Sequence, residues 1–199
     1  LFDMDNDGDL DAYLVQSGAL TDPPEQRPPN QLFENSGSGS FTDVTEGSGA
    51  GDRGIGMGVA CGDADGDGGV DLFVANLGSD VLLSNAGGGH FTDATARAGV
   101  ADTGWSSSAA FFDADLDGDL DLWVCRYLNW IQAAEHRCGN DSGAPDYWDP
   151  KVYQAPALDS FYRNRGDGTF EDATLAADVD RGPTGLGGAC LDADVGGWG

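Results

Sequence analysis

Residues 54–95 read GIGMGVACGDADGDGGVDLFVANLGSDVLLSNAGGGHFTDAT, and this stretch decides the fold. Its first nine residues are small and apolar, suited to a strand crowded against neighbours. An acidic loop follows at 63–71, and the residues from Val70 to Asn76 then form an apolar strand. Residues 81–85 and 90–95 are two short runs around Ala-Gly-Gly-Gly, a turn-rich tetrapeptide that marks a hairpin. Four short strands and their turns in about fifty residues are the measure of one β-propeller blade.

The pattern recurs. Acidic loops stand at 3–11 (DMDNDGDLD), 63–71 (DADGDGGVD) and 113–121 (DADLDGDLD), and a further one opens at 192 as DADVGGWG. After each complete loop comes a companion: NQLFENSGSGSFTDVT from Asn30, DVLLSNAGGGHFTDAT from Asp80 and DSFYRNRGDGTFEDAT from Asp159. The expected fold is therefore all-β: antiparallel four-stranded blades, about three of them and part of a fourth. Blade units fall at about 1–50, 51–100 and 101–180, with the next beginning over 181–199. Unequal spacing is explained by insertions at 17–29, which is Pro-rich, and at 128–157, where a short helix over 129–136 is expected. The chain reads as an excerpt of a longer propeller, with remaining blades elsewhere and sheet edges left exposed.

The loops read as divalent-cation sites. Calcium takes six to eight hard oxygens in flexible geometry. Asp at the first, third, fifth and ninth loop positions can wrap carboxylates around one centre. Those residues are Asp3, Asp5, Asp7 and Asp11; Asp63, Asp65, Asp67 and Asp71; and Asp113, Asp115, Asp117 and Asp121. Glycine at the sixth position (Gly8, Gly68, Gly118) permits the reversal that turns them inward. Without a cation these carboxylates would repel one another. An EF-hand is excluded, because position twelve is Leu14, Val74 or Val124 instead of Glu, and the flanks alternate as strands. Magnesium fits less well, since it demands strict octahedral geometry. In the fourth loop Asp192 and Asp194 keep the pattern, but Gly196 replaces the third carboxylate.

Composition narrows the function. The 35 Asp plus Glu against 9 Lys plus Arg leave a formal charge of −26. Such a chain repels nucleic-acid phosphates, and no apolar run is long enough to span a bilayer. The alternating apolar runs and plentiful aromatic residues argue against acidic disorder. Catalytic patterns are thin: there are two histidines, His90 and His136, and no nucleophile elbow or phosphate loop.

Gly-x-x-x-Ala-x-x-Asp-x-Asp-x-Asp-Gly-x-x-Asp-Leu, over 56–72, resembles the FG-GAP/VCBS repeat of integrin α-subunit propellers and bacterial surface proteins. The companion Leu-Phe/Tyr-x-Asn-x-Gly-x-Gly-x-Phe-x-Asp-x-Thr is similar to repeats of the ASPIC/UnbV group, which includes cartilage acidic protein. This resemblance implies a seven-bladed or similar propeller, secreted or on the cell surface, with calcium in the blade loops. It places side-chain ligands on the twelve aspartates named above and backbone carbonyl ligands at Asp9, Gly69 and Asp119.

The expected function is a calcium-binding extracellular scaffold for protein or glycan interaction or adhesion, not an enzyme. The alternative is an accessory propeller of a secreted enzyme or biosynthetic protein whose catalytic part lies elsewhere. Ligands would meet the surface insertions, with Trp130, Tyr147 and Trp148 as candidate glycan-stacking residues. Cys61 and Cys190 are expected to be free, buried thiols. Cys125 and Cys138 are expected to staple the long insertion in an oxidising compartment, and a zinc site with His136 would lack a fourth ligand. Arg165-Gly166-Asp167 spells an adhesive tripeptide, but in a position where the other copies are plain hairpin turns. Asn140-Asp141-Ser142 is a glycosylation sequon.

Overall fold

Short apolar runs closed by glycine turns can satisfy their backbone groups only by pairing with one another. In the structure, a computed structural model that describes residues 1–130 and 156–177, they do so in antiparallel ladders. The first repeat contributes β1 (Ala12–Leu14), β2 (Gln31–Asn35) and β3 (Phe41–Asp43), paired in that order. The second contributes β4 (Ile55–Gly62), β5 (Asp71–Ser79), β6 (Val81–Asn85) and β7 (Phe91–Asp93). The third contributes β8 (Thr103–Phe112), β9 (Asp121–Arg126), β10 (Ser160–Asn164) and β11 (Phe170–Asp172). The second and third repeats are thus the expected four-stranded blades, whereas the first has three strands. The fourth unit, the expected helix beyond Trp130, and most of the long insertion lie outside the described residues.

The second blade is a wall between two cores. Residues 71–76 are all buried, where a strand with one solvated face would alternate. One face of β5 sends Leu72 and Val74 into a cluster with Phe2, Met4, Tyr13 and Leu32 of the first blade. The other face sends Phe73 and Ala75 against Leu122, Val124, Tyr162 and Phe170 of the third. The crowding explains the small residues of β4. A Cβ on Gly56 would lie 2.2 Å from Val15 Cγ1 on one side, and one on Gly58 would lie 3.0 Å from the Ser107 carbonyl oxygen on the other. Both inner strands carry a bulge, between Gly56 and Gly58 in β4 and between Ser106 and Ser108 in β8.

β5 is longer than its apolar run. It continues through Leu77, Gly78 and Ser79, which pair with Trp105, Gly104 and Thr103 of β8 and stitch the second blade to the third. Gly-Ser in a sequence reads as a stop, and this extension is won by tertiary pairing. The Pro-rich insertion is largely exposed, with one short 3-10 turn at Pro24–Gln26.

Packing is reinforced by one asparagine per repeat at the end of the third strand. Asn85 donates its side-chain N–H to the Met4 carbonyl of the preceding repeat (2.8 Å) and to Val70 of its own loop (3.2 Å). Asn164 does the same to Ala64 and Leu120, both at 2.9 Å. Asn35 reaches only Leu10 of its own loop, at 3.1 Å. Asn85→Ala and Asn164→Ala should each cost about 1–3 kcal/mol by leaving buried carbonyls unpaired, and Asn35→Ala distinctly less. Equilibrium urea unfolding of the three variants checks this order.

Candidate metal centres

Each acidic loop is built the same way from its backbone outward. The first aspartate caps the turn: Asp3 accepts the N–H groups of Asp7 (3.2 Å) and Gly8 (3.0 Å). Asp63 takes those of Asp67 (3.1 Å) and Gly68 (2.9 Å), and Asp113 those of Asp117 (3.2 Å) and Gly118 (3.0 Å). The sixth-position glycines have φ of 92°, 90° and 98°, the left-handed region expected of them. The fourth position is left-handed too, at Asn6, Gly66 and Leu116. Asn and Gly signal this by residue type, whereas Leu116, 72% exposed, conceals it.

The ninth aspartate is the most constrained. Asp11, Asp71 and Asp121 are 1–2% exposed, and each uses both oxygens. Asp71 accepts the Ala64 N–H at 2.8 Å and the Asn85 N–H at 2.7 Å. Asp11 holds Met4 and Asn35 at 2.9 and 2.8 Å, and Asp121 holds Ala114 and Asn164 at 3.1 and 2.8 Å. One carboxylate therefore ties the loop, the strand it begins and the hairpin beside it. Burial pushes the Asp71 carboxyl up to about 6, against those two N–H groups and helped by the charges of Asp65 and Asp67. Burial likewise raises Asp5 and Asp121.

The structure brings three carboxylate groups together. Ligand oxygens of Asp3, Asp5 and Asp11 lie within 4.8 Å of one another, as do those of Asp63, Asp65 and Asp71, and those of Asp113, Asp115 and Asp117. One oxygen of Asp65 is buried with no hydrogen-bond partner. That orphan, in a cluster of like charges, fits a cation. Asp7 and Asp67 stand outside these groups and accept the N–H of Asp9 and Gly69, each at 2.8 Å. Asp121 stands outside the third group, where Asp117 takes its place. The side chains of Asp9 and Asp119 lie over the hairpin turns at Gly37 and Gly166. Asp192 and Asp194 lie outside the described residues.

The surroundings differ. Asp65 is 3.7 Å from Arg97, and Asp115 is 3.6 Å from Arg163. The first loop has Glu34 at the position of Arg163.

A family model described as FG-GAP-like repeat matches residues 3–74 and again 63–124, together more than half of the chain. The chain belongs to the FG-GAP-like repeat family. No curated protein matches it. Each FG-GAP match runs from one acidic loop into the strand after the next, so the loops mark the period of the family's repeat.

Other candidates resolve as parts of this FG-GAP scaffold. Arg165-Gly166-Asp167 is a turn: Gly166 has φ 73°, Asp167 accepts the Thr169 N–H at 3.0 Å, and Arg165 pairs with Glu171 at 3.5 Å. His90 is exposed. Cys61 is free and partly buried, as expected for the inner strand except in degree. Cys125 is a free, buried thiol on β9, and Cys138, its expected staple partner, lies outside the described residues. Trp130 meets Trp105 edge-on at 5.6 Å. Cys138, Cys190, His136, Tyr147, Trp148 and the sequon at Asn140 lie outside the described residues. Among the described residues no helix is long and apolar enough to cross a membrane.

The third and ninth aspartates should behave oppositely. Asp71→Ala should cost roughly 3 kcal/mol even in chelator, because two buried N–H groups lose their acceptor. Asp65→Asn should leave chelator stability unchanged or higher and abolish one cation site, as read by urea unfolding and calorimetric titration. The pH response follows from the raised Asp71 carboxyl. The folded chain holds that proton to about pH 6 and an ordinary aspartate only to 3.8, so the folded state binds more protons between them. Chelator-treated protein should therefore gain thermal stability as pH falls from 7 through 6 towards 4. With saturating calcium the slope should reverse, since protons then displace the ion.

Proposed function

We propose that this FG-GAP protein is a calcium-binding, non-enzymatic scaffold that works outside the cytoplasm, secreted, on the cell surface or in a periplasm. It presents surface loops to a protein or glycan ligand, in adhesion or a related interaction. The observation that carries the reading is the threefold recurrence of a carboxylate cluster on one backbone frame, with an unpartnered buried oxygen in the second. Hard, anionic oxygens at several positions of a short flexible loop suit calcium better than magnesium, which keeps its waters. Exposed loops of this kind suit the weak end of calcium affinity, matched to extracellular concentrations. Three divalent ions would also offset six of the 26 net negative charges. The companion hairpin motif supports placing the protein near the ASPIC/UnbV group.

The candidate catalytic inventory is thin, since the carboxylates gathered in the loops are committed to turn hydrogen bonds or to the cation. This supports a binding role over a hydrolytic one.

Calcium should raise the melting temperature of chelator-treated protein. A site filled at a hundred times its Kd contributes about 2.7 kcal/mol. Magnesium at equal concentration should do distinctly less. Scanning calorimetry with calcium, magnesium and EDTA makes the test, and identical melting in calcium and EDTA would refute the reading.

A further inference from the structure

Two arginines stand apart from the rest. The other arginines among the described residues pair with carboxylates, as Arg97 does with Asp65 and Arg126 with Asp80 and Asp102. Among the described residues Arg27 and Arg53 pair with none, in a chain that has 35 Asp plus Glu to offer. They are also neighbours in space. The Asn30 N–H donates to the Asp52 carbonyl at 2.7 Å, which lays the end of the Pro-rich insertion beside 52–53. Arg53 Nη1 then donates to the Arg27 carbonyl.

The local frame holds this pair without neutralising it. The stem of Arg27 lies over Gly18, where a Cβ would come within 2.8 Å of its Cγ. Its Nε is buried and has no hydrogen-bond partner. Asp52, next to Arg53 in sequence, is turned to other donors: it accepts the Gly54 N–H at 3.1 Å and the Asn76 side-chain amide at 3.3 Å. Two guanidinium groups held on one short stretch of backbone repel each other, and an N–H kept from water without an acceptor costs free energy. A carboxylate received there offsets both. The feature is no part of the repeat, because the following repeat has Thr103 at the place of Arg53 and no insertion at the place of 17–29.

We propose that Arg27 and Arg53 receive a carboxylate from a protein partner that is basic overall. The inference rests on the scaffold reading and names the chemistry of its partner. With a formal charge of −26, which three divalent ions would not reverse, the chain draws basic surfaces and repels acidic ones. A polyanion is turned away before it reaches the pair. On a basic partner, an isolated Asp or Glu meets repulsion over most of this chain and attraction at Arg27 and Arg53. Their planar forks suit a carboxylate. The pair therefore sets the orientation in which the partner docks, while the surrounding charge sets how fast it arrives.

Fluorescence anisotropy of the whole chain, in calcium at physiological salt, tests the proposal with two labelled lysine–alanine peptides. They differ only at one central residue, glutamate or glutamine. Net charge alone favours the glutamine peptide, so the sign of the difference decides. Wild type should bind the glutamate peptide about fivefold more tightly. In the double variant Arg27→Gln with Arg53→Gln the order should reverse. Its binding of the glutamine peptide, at least as tight as wild type, shows that it is folded. Arg27→Lys, which keeps the charge and loses the fork, should fall between. A wild type that binds both peptides alike, or prefers glutamine, would overturn the proposal and leave the scaffold reading standing. A glutamate preference that survives the double substitution would overturn it too, as would binding of neither peptide. Failure of the scaffold reading shows separately, as identical melting in calcium and EDTA.

Discussion

The structure depends on a carboxylate that has been taken out of water and given two backbone N–H groups in exchange. An ionised aspartate buried without partners would be prohibitive. Asp11, Asp71 and Asp121 persist because each carboxylate receives one N–H from its own loop and one from the neighbouring hairpin. The asparagine that supplies the second N–H then passes the connection on. In the second and third repeats its side chain reaches the loop of the repeat before. Loop, hairpin and preceding loop become one unit, which is how a chain with 9 basic residues holds its acidic parts together. Several of its ion pairs offer little by comparison: Arg97, Arg163 and Arg165 are about half exposed, where such pairs contribute little.

The topology then separates two ends. The acidic loops join the first strand of a blade to the second, and the tight hairpins join the third to the fourth. In an antiparallel blade both lie at the same end, where the ninth aspartate can bridge them. The insertions join the second strand to the third and emerge at the other end. A cation bound in the loops, as proposed above, would therefore brace the end remote from the insertions, and its effect on a ligand there would pass through the rigidity of the blade. The double-sided burial of β5 makes such transmission physically reasonable, since no face of that strand is free to yield.

Much of this was legible because repetition made it so. Three copies of one loop motif revealed the period, the hairpins, the small inner strand and the sixth-position turn. What escaped were features that depend on neighbours in space. The ninth aspartate resembles a ligand in sequence, and only the fold shows it committed to backbone donors as well. The reach of β5 to Ser79 and the burial of both its faces come from β8 and the flanking blades, which no local pattern encodes. Strand alternation places Leu122 and Val124 on the face of β9 that meets the second blade and Cys125 on the other face, and its pairing with Cys138 falls outside the described residues. The repeated Asn of FEN, LSN and YRN was a signal present in the sequence, and its role emerges only when the preceding loop is placed beside it.

The end without acidic loops faces the same electrostatic problem and meets it with a side chain. Gln16, Asn76 and Arg126 occupy one position, each donating its backbone N–H to the residue that opens the next strand: Asn30, Asp80 and Asp159. Between the second and third blades, the carboxylates of Asp80 and Asp102 approach the same buried space. Arg126, almost wholly buried, pairs with both, and the Tyr162 hydroxyl donates to Asp102 at 3.2 Å. Ser106 completes the shell on Asp80 at 2.7 Å. Burial still pushes the Asp80 carboxyl up, with those hydrogen bonds and the Arg126 charge opposing it. A buried guanidinium carries desolvation cost and is tolerated where its charge is matched and its donors are used. Between the first and second blades the same place holds Asn76, which can share a hydrogen bond with Asp52 at 3.3 Å but brings no charge. The chain thus carries a cation of its own where two carboxylates converge away from the loops, whereas the loop clusters have no buried arginine among the described residues, which is the contrast on which the proposed cation sites rest.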